Sequence, residues 1–235
     1  MALQSFQDRQ LGVITIKPHA TARHFIFRAT STGIQITCPL GATRSQIIEA
    51  LERQRHKLPK LIRQNDNQIR LVKDASIQML NFSVRITESG YGNLFQARYV
   101  QQVLEFQCPN NTDYSRAAVQ AFFQKNIANV LKLTAKQYLP ERLAQLAEKI
   151  GKNYHSCSVS YGKQRLGRCD SHGDILLSYR LMMLPVHLCD YVMLHELTHL
   201  TEMNHSPRFY ALLDHYCDGC HRQLKQELAS FRFLF

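Results

Sequence analysis

Two histidines four residues apart, with a glutamate after the first, form the most chemically loaded stretch of this chain: His195-Glu196-Leu197-Thr198-His199. On a helix, positions i and i+4 share a face, so both imidazoles can reach one cation. Glu196 lies roughly 100° further round the axis. There it can hydrogen-bond a metal-bound water instead of the metal. A Zn²⁺ ion with three protein ligands keeps a fourth position for water and lowers that water's pKa to about 7. The carboxylate then takes the proton as hydroxide attacks a carbonyl. The expected cofactor is one Zn²⁺ ion, and the expected chemistry is hydrolysis.

The third ligand has two candidates. Met203-Asn204-His205-Ser206-Pro207 reads as a helix end, since Asn accepts a left-handed cap position and Pro stops one helix or opens the next. A chain turning there can swing His205 back to the metal. Glu202 competes, because it stands three residues after His199 and seven after His195 on the same helix face. If the helix continues, Glu202 ligates directly or holds a liganding imidazole by hydrogen bond. His205 is the expected ligand and Glu202 the expected supporting group.

These residues need a buried helix. Leu188, Tyr191, Val192 and Leu194 run at near-helical spacing into His195, with no Pro or Gly between. Upstream, Ser156–Tyr161 and Asp174–Tyr179 read as strands. An exposed strand edge can take an extended substrate by strand addition, and Asp174–Tyr179, just before the motif helix, is the candidate. Tyr179, Arg180 and Tyr210 are candidate donors to a developing oxyanion.

The first third reads as short strands rich in Val, Ile, Thr and Phe at 12–17, 24–29 and 34–38. Ser31-Thr32-Gly33 is a turn. A helix capped by Thr43 follows, its apolar stripe broken at Pro59, and Asn65-Asp66-Asn67 is a loop. Further strands are expected at 77–86, 94–99 and 103–108, with a turn at Gly90-Tyr91-Gly92-Asn93. Pro109–Asp113 reads as a linker, dividing a β-rich domain at 1–110 from a catalytic domain at 111–235. Helices are expected at 115–138 and, opened by Pro140, beyond it. Two more are expected at 207–216 and 220–231. Cys217-Asp218-Gly219-Cys220-His221 is read as the turn between them. No internal repeat is evident.

The chain has 235 residues and a formal net charge of +11. To residue 110 there are 14 basic and 7 acidic residues; beyond it, 15 and 11. Such a surface attracts anions, so a nucleotide or nucleic acid is an expected alternative partner. No nucleic-acid motif is present. No apolar run reaches membrane length and the N-terminus has no apolar signal core, so the expected compartment is the cytoplasm. Seven scattered cysteines, an odd number, do not make a disulfide framework.

The segments Arg165–Asp170, Gly173–Leu181, Asp190-Tyr191-Val192, His195–Leu200 and Asn204–Tyr210 together resemble the YgjP-like metallopeptidases, related to the SprT-like and WLM groups. The Ile-Lys-Pro and Gly-Ile-Gln-Ile-Thr-Cys-Pro strands fit the same family's opening. The resemblance implies an α+β fold: a β-rich N-terminal region and a zincin-like helical domain with a short antiparallel sheet. It also implies His195, His199 and His205 as ligands, Glu196 as base, and a peptide or protein substrate. Two departures stand out. Leu166-Gly167-Arg168-Cys169 replaces the family's Trp-Gly-Ser-Cys, and Ser178 stands where an Asn is usual. The expected function is a zinc-dependent metallopeptidase. The alternatives are a metal-dependent nucleotide or phosphoester hydrolase and a nucleic-acid-binding module with structural zinc.

Overall fold

Alternating apolar residues in the first forty positions make a sheet with one buried face. The structure, a computed structural model, describes residues 4–30, 32–66, 69–89, 94–162 and 164–235. Ser31, Asn67 and the expected turn at Gly90–Asn93 lie outside the described residues. Two compact units divide between Gln68 and Ile69.

In the first unit, β1 (Gln4–Asp8), β2 (Gly12–His19), β3 (Ile26–Thr30) and β4 (Gly33–Pro39) form a sheet in the order β1-β2-β4-β3. Strands β2 and β4 are parallel; the outer pairs are antiparallel. Ile14, Ile16, Ile34, Ile36 and Cys38 point inward onto Ile47 and Leu51 of α1 (Arg44–Gln54) and Leu58 of α2 (Leu58–Asp66). Thr43 caps α1 in a full capping box with Gln46, as expected. The β1 strand was hidden by its polar composition. Asp8 ends it, accepting from the backbone N–H of Gln10 and Leu11 and pairing with Arg55 at 2.8 Å.

The second unit opens with β5 (Ser76–Gln78), β6 (Ser83–Ser89), β7 (Gln96–Val100) and β8 (Val103–Pro109). The single strand expected at 77–86 is broken by a turn, where Met79 N–H donates to Phe82 O at 2.8 Å. The order is β5-β6-β8-β7, again with the central pair parallel. This sheet repeats the first. Pairs recur 70 positions later: Val13–Gly33 becomes Ser83–Val103, and Ile26–Thr37 becomes Gln96–Gln107. The buried positions recur with them, Val84, Ile86, Leu104, Phe106 and Cys108 matching the five inward residues of the first sheet. The chain therefore contains an internal repeat, contrary to the sequence expectation. Burial is kept while residue types change, so few identities betray it.

The expected domain boundary at 110 falls inside this unit. Phe106 stacks edge-on against Phe123 at 4.8 Å, and both belong to one core. Residues 69–109 bury their apolar face on the helix that follows, α3 (Ala117–Lys149). That helix is continuous through Pro140, where two helices were expected. Proline deprives the carbonyl of residue i−4 of its donor. Here that residue is Lys136, which is exposed to water. Ala135, Leu139 and Leu143 stay fully buried and hold the helix together.

Beyond α3 come β9 (Ser156–Ser160), β10 (Gly167–Cys169), β11 (Asp174–Ser178), a 3-10 turn (Tyr179–Met183), α4 (Val186–Thr198), α5 (Pro207–Tyr216) and α6 (His221–Ser230). The fold is α+β. The small sheet is mixed, not wholly antiparallel: β10 pairs antiparallel and β9 parallel with β11. Strand β11 is thus central, both of its edges already bonded. The strand-addition role expected for Asp174–Tyr179 is closed to it, because its N–H and C=O groups are taken; β10 is the free edge nearest α4. No helix among the described residues is long and apolar enough to cross a membrane.

Candidate metal centre

Helix α4 is packed on nearly all sides, which sets the orientation of its motif. Leu188, Cys189, Met193 and Leu197 are almost fully buried. A bidentate pair ties it to α3: Arg142 donates to both carboxylate oxygens of Asp190, at 2.8 and 2.6 Å. The helix was expected to run to about Met203, but it stops at Thr198. The Thr198 hydroxyl donates back to Leu194 O at 2.7 Å, and Leu200 and Thr201 bond three residues back instead of four. These contacts tighten the last turn and end it. The chain reverses through 200–206. Ser206 then caps α5, accepting from Phe209 N–H, with Pro207 opening that helix as expected.

The reversal brings His205 to the pair on α4. One ring nitrogen from each of His195, His199 and His205 lies within 4.8 Å of the others. The Nε2 atoms of His195 and His205 face each other at 3.0 Å. Three nitrogens bound tetrahedrally at zinc's usual bond length would stand about 3.3 Å apart, so the cluster fits such an ion. The His199 Nδ1 group faces Glu202 O at 3.2 Å. A proton there donates to that carbonyl and leaves Nε2 as the free donor atom for a metal. Burial pushes His195 down to about 4, helped by the neighbouring His199 and His205 rings. Burial also pushes His199 down. Both rings are thus neutral at pH 7, as ligation requires.

Phe209 forms the floor of the site. Its ring is fully buried and lies 4.9, 4.7 and 4.8 Å from the rings of His195, His199 and His205. The Glu196 carboxyl is buried, and burial pushes it up to about 7, opposed by a hydrogen bond from Cys169 N–H. Gly167 of β10 lies directly beneath it. A Cβ at Gly167 would meet Glu196 Oε1 at 2.4 Å and Cγ at 2.7 Å. Neither Phe209 nor Gly167 was assigned a site role from the sequence, since each matters through a contact with residues distant in the chain. The Leu166–Cys169 segment, singled out as a departure, does border the site.

The other candidates are placed differently. The Glu202 side chain faces Arg208 at 3.9 Å, and its backbone carbonyl, not its carboxylate, faces His199. Tyr179 is buried against Tyr161 with Lys132 Nζ 5.7 Å from its ring. Arg180 lies over the Phe233 ring at 4.0 Å and donates to Phe235 O. Both therefore turn to surroundings other than the histidine cluster. Tyr210 is near it, 6.2 Å from the His205 ring. Ser178, the other departure, is fully buried; its hydroxyl accepts from Arg180 N–H and caps the 3-10 turn.

Two solved metallopeptidase zymogens are similar to part of the chain. Abylysin from Pyrococcus abyssi is 19% identical with a TM-score of 0.35, covering 38% of this chain and 90% of its own. Jannalysin from Methanocaldococcus jannaschii is 20% identical with a TM-score of 0.33, covering 40% and 99%. No curated protein matches the chain. The YgjP-like metallopeptidase domain matches residues 23–231, nearly the whole chain, and the protein therefore belongs to the YgjP-like metallopeptidase family.

Proposed function

We propose that the protein is a zinc-dependent peptidase in which His195, His199 and His205 hold the ion and Glu196 is the general base. The observation that carries this reading is the convergence of three imidazole nitrogens within 4.8 Å beside a buried carboxyl. Zinc, when bound, polarises a water and the scissile carbonyl. Glu196 takes a proton from the attacking water and returns it to the leaving nitrogen. Gly167 leaves the space this carboxylate occupies. The outer edge of β10, apart from the Cys169 N–H already given to Glu196, offers main-chain hydrogen bonds to an extended peptide. Seven free cysteines support work in a reducing compartment.

Metal analysis of the purified protein is expected to give one zinc per chain. Glu196→Gln is expected to retain the metal while hydrolysis falls by about 10²–10⁴-fold. A zinc-loaded Glu196→Gln protein with full activity would remove Glu196 from the mechanism. A nucleotide panel run beside a peptide library separates amide from phosphoester hydrolysis.

A further inference from the structure

Next to the histidine cluster, between α5 and α6, lies a second feature that the metal chemistry leaves unused. It is a cavity of about 850 Å³ whose lining includes Pro207, Tyr210, Asp214, His221, Arg222 and Lys225. Tyr210 is the shared wall. One side of it faces the His205 ring at 6.2 Å, and His221 stacks on it at 5.8 Å with 27° between planes. The Lys225 ammonium sits 5.3 Å from the Tyr210 ring centre.

The charges in this cavity are unevenly matched. Asp214 is its one lining carboxylate among the described residues. His221 occupies that carboxylate twice, its ring facing Oδ1 at 2.7 Å and its backbone N–H donating at 3.2 Å. Lys225 and Arg222 are both exposed, and neither joins an ion pair among the described residues. Two exposed cations, which outnumber the one carboxylate whose charge Arg222 and His221 share, thus line a pocket that starts one ring away from a proposed metal ligand. An extended peptide advances roughly 3.3 Å per residue. The side chain of a residue one or two places from the scissile bond would reach it.

We propose that this cavity is a specificity subsite that receives a carboxylate of the peptide, with Lys225 and Arg222 as its cationic contacts. The assignment rests on the peptidase reading for its role in turnover, but not for binding. The carboxylate is either an Asp or Glu side chain or a free C-terminus.

Calorimetric titration of the zinc-loaded full chain separates these. The probes are acetyl-Ala-Glu-Ala-amide, acetyl-Ala-Gln-Ala-amide and acetyl-Ala-Gln-Ala with a free C-terminus. The Glu peptide or the free acid is expected to bind about three- to tenfold tighter than the Gln amide, the gap closing at high salt. Whichever charged probe shows the gap identifies the source of the carboxylate. Lys225→Ala and Arg222→Ala are expected to shrink it, Lys225→Arg to keep it, and Lys225→Glu to reverse it. These positions are exposed, and unchanged circular dichroism verifies that each variant folds. In turnover, Lys225→Ala raises KM for acidic peptides and leaves kcat alone. Equal binding of all three probes, no binding of any, or a preference that survives Lys225→Ala overturns the subsite. A charged-probe preference without cleavage of any peptide sinks the peptidase reading and leaves the subsite standing. Cleavage without the preference does the reverse.

Discussion

Replacing Gly167 by alanine tests whether Glu196 works from the position it occupies. The new methyl carbon would stand 2.4 Å from Oε1, 2.7 Å from Cγ and 2.8 Å from Cδ of Glu196. Ordinary contact begins at 3.4 Å, so the two must separate by about 1 Å. Turning the terminal oxygens alone does not relieve it, since Cγ is also struck. Either the whole carboxylate swings away or the three-residue strand β10 lifts from β11, and both move the base relative to the cleft. A displacement of about 1 Å in a reacting group costs on the order of 10²-fold in rate. The assay is kcat/KM on the best peptide from a library, with zinc content measured on the same sample. The expected result is a fall of about 10²-fold at full zinc occupancy. Gly162, whose Cβ would meet nothing within 4 Å, supplies the silent control as Gly162→Ala. A Gly167→Ala protein that keeps zinc and the normal rate refutes the placement of the base.

Three further outcomes are expected. Phe209→Ala removes a fully buried ring touching all three imidazoles, and is expected to cost about 3–5 kcal/mol by urea denaturation and to weaken zinc in a chelator competition. Unchanged zinc affinity would separate this ring from the metal site. Arg142→Ala leaves the Asp190 carboxylate on α4 without its two hydrogen bonds, and is expected to lower stability by about 1–3 kcal/mol; a neutral result would mean that the pair does not anchor α4. Hydrogen bonding from Arg55 holds Asp8 at about 2, below its ordinary 3.8. Because the folded value is lowered, the stabilisation is complete above pH 4 and is lost as pH falls toward 2. It amounts to about 1–2 kcal/mol after solvent screening. The stability gap between the wild type and Asp8→Asn, measured by denaturation from pH 6 to pH 3, should narrow with acid; a widening gap contradicts the pairing.

Much of the candidate site was legible in the sequence because it is local. The i, i+4 spacing of His195 and His199 needs only a helix to align them. The Thr43 cap and the Pro207 start depend on groups three or four residues away. Strands β2 and β4 announce themselves by alternation, and their period survives in the burial pattern. The errors share a cause too. A proline seemed to end α3, but burial of Ala135, Leu139 and Leu143 outweighed one missing hydrogen bond. The Pro109–Asp113 stretch looked like a boundary, but the apolar face of β6 and β8 shares one core with α3 beyond it.

By itself, the sequence singled out a histidine pair that could hold a metal ion and the carboxyl that stands beside it, because those residues are neighbours on one turn of helix. Only the tertiary structure decided the rest. It brought His205, and not the Glu202 carboxylate, beside His195 and His199 by ending α4 at Thr198, and it placed Gly167 of β10 under Glu196, 29 residues further along the chain. It enclosed β11 between two strands and left β10 as the edge. It also revealed the 70-residue repeat, which persists in register and burial. Such features depend on which backbones approach one another, and close approach between distant segments is set by the packing of whole faces, which no short window of residues encodes.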